Sequence, residues 1–242
     1  QPIASNDWES KYVLNPGALR LGDKVYLFYR AVGKDEISRI GLAITDGYKV
    51  LERLPEPIFA PILPQEAKGC EDPRIVVIDN RILMMYTAYD GNIAQIAIAS
   101  IRVKDFLKRR FDRWRRDGLP FENIWDKDGV IFPEKIKGKY VLYHRIDPSV
   151  WAVYIDKLGS YETEQQYIIM GPRPGQLWDS KKIGAGSQPI KTKYGWLLIY
   201  HGVDYSYIYR LGVILVNLHD PHKVVYRSPN AVLAPEKDFE LG

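Results

Sequence analysis

The sequence predicts an all-β fold, a five-bladed β-propeller whose last blade is incomplete in this chain. Two recurrences carry the prediction. Tyr29, Tyr86, Tyr143 and Tyr200 stand 57 residues apart, each closing an apolar run such as Val25–Tyr29 or Trp196–Tyr200. A repeat of that length marks a repeated supersecondary unit. Upstream of the tyrosines, a polar residue followed by proline recurs at Asn15-Pro16, Asp72-Pro73 and Gln188-Pro189, with Phe132-Pro133 as a weaker copy.

Each unit reads in the same order. Proline suits the first residue of a strand, where no ladder donor is lost, so a strand is expected to begin at each polar-Pro step. Turn residues follow at Leu21–Lys24, Ile78–Arg81, Lys137–Lys139 and Lys193–Gly195, and the chain returns through the apolar run to its tyrosine. That is a hairpin signal. Further strand-like runs follow at Ile40–Thr45, Ile93–Ile101, Val150–Ile155 and Leu211–Val216. Three or four antiparallel strands per repeat make a propeller blade. A fifth tyrosine falls due near position ~257 by the same period, past Gly242, hence the expectation of an incomplete last blade. The start of one strand and the end of the next share an edge. Asn15, Arg30, Asp72, Asp90, His144, Arg145, Gln188 and His201 are therefore expected on one face.

The length of 242 residues suits one catalytic domain spanning 1–242, and the 46% hydrophobic content suits a globular core. A net charge of +4 is mild. It suits an anionic substrate and argues for neither nucleic acid nor membrane as a partner. The one cysteine, Cys70, excludes an internal disulfide framework and fits a reducing, cytoplasmic setting. One segment, 102–118, departs from the β pattern. Val103, Leu107, Phe111 and Trp114 recur at helical spacing among cations, which predicts a basic helical insertion or long loop packed on the rim with its charges solvated, the alternative being a helix that docks on membrane or nucleic acid.

The motif with most chemistry is Gly69-Cys-Glu-Asp-Pro-Arg-Ile75. In a strand Glu71 and Asp72 point to opposite sides, so one carboxyl enters the site, braced by the other or by Arg74. A carboxyl shielded from water can act as a general acid; the alternative is a turn carboxylate tied to Arg74. Arg30, Lys135, His144 and Arg145 fall on the same expected face, where converging cations repel unless an anion lies among them. Guanidinium forks and a lysine charge suit phosphate, although any one of them could equally close a salt bridge at a strand end. Asp90 either bonds hydroxyls or caps a turn, and His201-Gly-Val-Asp204 closes the fourth hairpin. Asp126-Lys-Asp-Gly129 and His219-Asp-Pro-His222 lack the ligand count of a zinc or calcium site, so no metal is expected.

Asn15-Pro-Gly-Ala18, Gly69–Ile75, Tyr86-Thr-Ala-Tyr-Asp-Gly91, Phe132-Pro-Glu-Lys-Ile136, Lys139–Arg145, Trp196–Val203 and Leu233–Glu236 run in order along almost the whole chain. Together they resemble glycoside hydrolase family 130. The resemblance implies a five-bladed propeller and inverting phosphorolysis of β-mannosides. The substrates it implies are β-1,4- or β-1,2-mannooligosaccharides or mannosylglucose, giving α-mannose 1-phosphate and a shortened acceptor. Asp72 matches the family's catalytic acid, which protonates the glycosidic oxygen through the sugar's 3-hydroxyl. Asn15, Arg30, Lys135 and His144 match phosphate-binding positions. Arg74, Asp90, Arg145, His201 and Asp204 lie in motifs near the sugar. The implied partners are a small oligosaccharide and inorganic phosphate as co-substrate, with no further cofactor; association of identical chains is left open. The alternatives weighed are a β-mannoside hydrolase and a non-catalytic carbohydrate-binding propeller on the same fold.

Overall fold

Seventeen strands run through residues 1–161 and 166–237, which the computed structural model describes. They form four antiparallel units of the kind the tyrosine repeat predicts. The first is β1 (Tyr12–Leu21), β2 (Lys24–Val32), β3 (Ser38–Thr45) and β4 (Val50–Arg53). The second is β5 (Gly69–Ile78), β6 (Arg81–Tyr89), β7 (Ala94–Arg102) and β8 (Arg115–Gly118). The third is β9 (Lys127–Ile131), β10 (Tyr140–Ile146), β11 (Ser149–Ile155) and β12 (Tyr167–Met170). In the fourth, β13 (Lys182–Ala185) and β14 (Ile190–Thr192) share one partner, β15 (Gly195–Val203), followed by β16 (Tyr209–Val216) and β17 (Val224–Arg227).

The chain divides into two compact units, Gln1–Trp125 and Asp126–Gly242, each holding two of the repeats. In the first, a parallel bridge from Ser38 to Gly69 joins the two meanders into one sheet, over a core that includes Phe28, Ile40, Leu42, Ile75, Met84 and Phe106. In the second, Phe132, Tyr143, Trp196 and Tyr200 centre a separate core.

Gln188-Pro189 immediately precedes β14, but the first two polar-Pro steps are not strand starts. Pro16 and Pro73 lie inside β1 and β5, at bulges. Leu14 pairs with Arg30 and Gly17 with Phe28, so Asn15 and Pro16 together oppose Tyr29; Asp72 and Pro73 likewise oppose Tyr86. A bulge leaves one residue out of the ladder, which accommodates a proline as well as a strand start does. Asn15 (φ 49°) and Asp72 (φ 51°) are left-handed there, a region Asn and Asp enter more readily than most residues. In the third repeat the bulge holds Asp128 (φ 55°) and Gly129, between the pairs Tyr143–Val130 and Arg145–Lys127. The true counterpart of Asp72-Pro73 is thus Asp128-Gly129 rather than Phe132-Pro133.

The tyrosines are buried and work through their hydroxyls. Tyr29 donates to Glu9 (2.9 Å) and accepts from Arg53 Nε (3.0 Å), while Arg53 also grips Glu9 (2.5 Å). Tyr86 donates to Glu66 (2.5 Å), which Arg116 holds by Nε (2.9 Å) and Nη2 (3.0 Å). Tyr200 donates to Asp179 (2.8 Å) and accepts from Arg227 (3.1 Å), which reaches Asp179 at 2.5 Å. In three repeats, then, a tyrosine on the strand after the opening strand (or, in the fourth repeat, after the opening pair β13 and β14), a carboxylate before the first strand and an arginine on the last form one buried lock. Burial pushes the Tyr29 and Tyr200 hydroxyls up to about 12, so they stay protonated donors. In the third repeat Tyr143 instead donates to the Pro221 carbonyl. The residue facing each tyrosine across the ladder is small: Gly41, Ala97, Ala152 and Gly212. A Cβ at Gly41 would lie 2.3 Å from the Tyr29 ring, so the tyrosine dictates the glycine.

Of segment 102–118, only Val103–Leu107 (α1) is α-helix. Arg109 turns left-handed (φ 55°), a 3₁₀ turn spans Phe111–Arg113, and Arg115–Gly118 becomes strand β8. Pairing with β7 completes the second meander, and that tertiary gain overrides helical spacing. Most of the apolar residues still face inward: Phe106 and Trp114 are buried, with Val103 and Phe111 packed beside them, while Leu107 stands exposed.

Candidate active site

In the first unit the two bulges bring Asn15 and Asp72 together. Asn15 Nδ2 donates to Asp72 Oδ1 at 2.9 Å, and Arg30 Nη1 approaches the same oxygen at 3.5 Å. No donor among the described residues bonds Asp72 Oδ2. The Asp72 carboxyl is 14% exposed, so this second oxygen can meet a ligand. A left-handed bulge re-aims a side chain out of the ladder, and such strained positions cluster at functional sites.

Arg30 is fixed on three sides. Its Nη2 donates to Glu71 at 2.7 Å, its Nε to Ser38 Oγ at 2.9 Å, and Nη1 faces Asp72. Glu71 and Asp72 thus both address one guanidinium, because the bulge undoes the strict alternation expected of neighbours in a strand. Arg74 bonds the Asp72 carbonyl (2.8 Å) and so braces the bulge backbone. A cavity of about 410 Å³ opens here, lined by Arg30, Glu71, Ser38, Lys68, Tyr12 and Tyr89 among others. That volume lies within the usual range for small-ligand sites. Asp90 caps the adjacent turn, accepting from the amides of Asn92 (2.7 Å) and Ile93 (2.8 Å). Those two bonds, Ile93's first, hold its carboxyl below the usual range.

In the second unit His144 Nδ1 lies 2.7 Å from Asp126 Oδ2, both side chains wholly buried. Desolvation pushes the Asp126 carboxyl up, opposed by the hydrogen bond to His144. Arg145 lies 3.1 Å from Asp128 and 2.9 Å from Asp147, and His201 Nε2 is 3.5 Å from Asp128. Asp128 therefore joins the third repeat to the fourth. Gly184 makes that meeting possible, since a Cβ there would stand 2.2 Å from Asp128 Oδ2 and 2.6 Å from the His201 ring. Lys135 lies over the Tyr140 ring at 4.6 Å. Asp204 caps a turn through the Ser206 and Ile208 amides and pairs with Arg210 at 2.6 Å.

Three of the four cations expected to face phosphate have carboxylate partners of their own. Arg30 faces Glu71 and Asp72, Arg145 faces Asp128 and Asp147, and His144 faces Asp126. Sequence reasoning weighed Asp126 and Asp128 only as an incomplete metal motif, and it missed Ser38. The signal for Asp128 was present, one residue out of step with the interval that links Asn15 to Asp72.

Known proteins share this arrangement of chain. The family model of glycoside hydrolase family 130, described as beta-1,4-mannooligosaccharide phosphorylase, matches residues 5–241. A beta-1,2-mannobiose phosphorylase of Thermoanaerobacter sp. (strain X514) is 40% identical over 99% of this chain and 81% of its own length. A 1,2-beta-oligomannan phosphorylase of the same organism is 38% identical over 99% of this chain and 80% of its own. Among solved structures, the beta-1,2-mannobiose phosphorylase from Listeria innocua in complex with beta-1,2-mannobiose superposes with a TM-score of 0.80 at 24% identity. It covers 94% of this chain and 78% of its own, a likeness that shows the all-β propeller fold.

Proposed function

We propose that this chain, which belongs to glycoside hydrolase family 130, is an inverting β-mannoside phosphorylase acting on short β-1,2-linked mannosides. The observation that carries the reading is the near-full-length identity to two β-1,2-mannoside phosphorylases, with the Asn15–Asp72–Arg30 cluster built on paired bulges. In the proposed reaction a phosphate oxygen attacks the anomeric carbon of the terminal mannosyl unit from the face opposite the leaving group. The glycosidic C–O bond breaks, Asp72 supplies the proton that the departing oxygen takes up, and α-mannose 1-phosphate forms.

Phosphate is a nucleophile already, so the second carboxylate that an inverting hydrolase uses to activate water is dispensable. Rate then comes from positioning. On the family resemblance, Asn15, Arg30, Lys135 and His144 are the candidates for binding phosphate, and Arg74, Asp90, Arg145, His201 and Asp204 the candidates for binding the sugar. Asn15 holds the Asp72 carboxyl in one rotamer, and Glu71 with Ser38 holds Arg30 in one plane, so neither need be ordered when substrate arrives.

The test is incubation with β-1,2-mannobiose, β-1,4-mannobiose and mannosylglucose, each with and without phosphate. Sugar 1-phosphate from the β-1,2 substrate, only when phosphate is supplied, is the expected product. Equal release of free mannose without phosphate would establish a hydrolase instead. Arg30→Ala is expected to raise the phosphate KM by about tenfold or more, the scale of one charge-assisted contact, with a smaller change in mannobiose KM. Initial rates across a phosphate series measure it.

A further inference from the structure

Segment 102–118 carries eight lysines and arginines against three aspartates, a net of +5 where the whole chain carries +4. All the excess positive charge of the protein is therefore gathered in one short stretch. The fold makes a groove of it. A cavity of about 300 Å³ is lined by Arg102, Lys104, Lys108, Arg110 and Arg113, with Asp105 the one acidic wall.

The neighbouring cations are closely paired, whereas those of the groove are paired at longer range or, for three of them, with no carboxylate among the described residues. Arg109 forms a two-pronged bond with Glu52, and Arg115 pairs with Asp117. Arg113 reaches only the adjacent exposed Asp112, and Arg110 approaches Asp105 at 3.8 Å. Arg102, Lys104 and Lys108 form no ion pair among the described residues. Five cations around one carboxylate in a concave site repel one another, and an anion with several charges relieves that repulsion where a singly charged one does not.

The groove lies far from the candidate active site. Arg102 pairs with Arg81, at the end of the β6–β7 hairpin opposite Tyr89 and Ala94, where the Asp90 turn sits. The Asp72 bulge opposes Tyr86, five residues of strand from Arg81 or roughly 16 Å, and the Asp90 turn lies farther still. A phosphate bound for catalysis would not occupy it.

We propose that this groove binds a compact anion carrying two or more phosphate groups, such as a nucleoside triphosphate or an inorganic polyphosphate, at a site separate from the catalytic one. Guanidinium forks and ammonium groups together are the chemistry that recognises phosphate chains. A membrane surface fits poorly, because Phe106, Phe111 and Trp114 pack inward and of the helix's apolar residues only Leu107 stands exposed. Nucleic acid fits less well than a small ligand, because the cations close around one cavity instead of tracking a backbone. The proposal does not depend on the mannoside chemistry.

Calorimetric titration with sodium tripolyphosphate and with ATP tests it, in the wild type and two variants. The wild type is expected to bind at least one of them, and more weakly as salt rises. The double variant Lys104→Glu/Lys108→Glu should lose about tenfold or more in affinity, with its thermal midpoint unchanged. Arg30→Ala, at the other end of the strands, should bind as the wild type does. Absence of binding, equal binding by the double variant, or loss of binding in Arg30→Ala overturns the proposal. So does tighter binding of a single-stranded RNA oligonucleotide or of phosphatidylserine vesicles that the double variant abolishes.

Discussion

Replacing Asp72 with asparagine lowers phosphorolysis by about 10²- to 10⁴-fold, the usual contribution of a positioned proton donor. The substitution keeps shape and the oxygen that accepts from Asn15, so the bulge geometry survives. What is lost is a group able to give up a proton. The deficit belongs to the transition state, so kcat and kcat/KM fall together while mannobiose KM changes little. Steady-state release of sugar 1-phosphate measures the fall, and a thermal midpoint close to wild type confirms that the fold is intact. Turnover near the wild-type rate would remove Asp72 from the mechanism. Asn15→Ala makes a useful contrast: it leaves the acid in place but releases it from its one short hydrogen bond, so a partial loss is expected.

The tyrosine interval made the blades legible because a blade is a local structure. Its strands follow one another in sequence, and its turns fall between apolar runs. The bulges were not legible, because a proline marks equally well the start of a strand or a break in its ladder; only the register of Leu14 with Arg30 and Gly17 with Phe28 separates the two. The same ambiguity misplaced the third copy at Phe132-Pro133. Asp128, whose Cα carries the left-handed geometry of Asp72, is followed by glycine and gives no proline signal. The polar partners were hidden for a different reason. Glu9 and Glu66 repeat at the period of the tyrosines they bond, but a carboxylate before a strand looks like surface until its tyrosine and arginine are seen to enclose it. Pairing of Arg30 with Glu71 is likewise a fact of tertiary structure, invisible while each residue is read alone.

Arg116→Ala is expected to cost about 3–5 kcal/mol of stability, the scale seen when one partner of a buried ion pair is removed. Glu66 has no exposed side-chain surface, and Arg116 meets it through both Nε and Nη2 while also bonding the Ala60 carbonyl. Without the guanidinium, the Tyr86 hydroxyl and the Ile62 and Leu63 amides remain, too little to hold a buried charge. Exposed Arg109 makes an instructive control: its two-pronged bond to Glu52 is open to solvent, so Arg109→Ala should leave the denaturant midpoint close to that of the wild type. The pH dependence separates lost charge from lost packing. Burial alone would push the Glu66 carboxyl up, but the bonds from Arg116, Tyr86 and Ile62 outweigh it and hold the group below its ordinary value of 4.5. A carboxyl depressed on folding contributes stability that is complete above its unfolded pKa and lost as pH falls through the folded one. In the wild type the lock at Glu66 should therefore hold at neutral pH and fail on acidification below the usual carboxylate range. In Arg116→Ala the depression is gone, so denaturant midpoints of the two proteins should differ most near neutrality and converge in acid. A constant difference across that range would mean that Arg116 acts through packing alone.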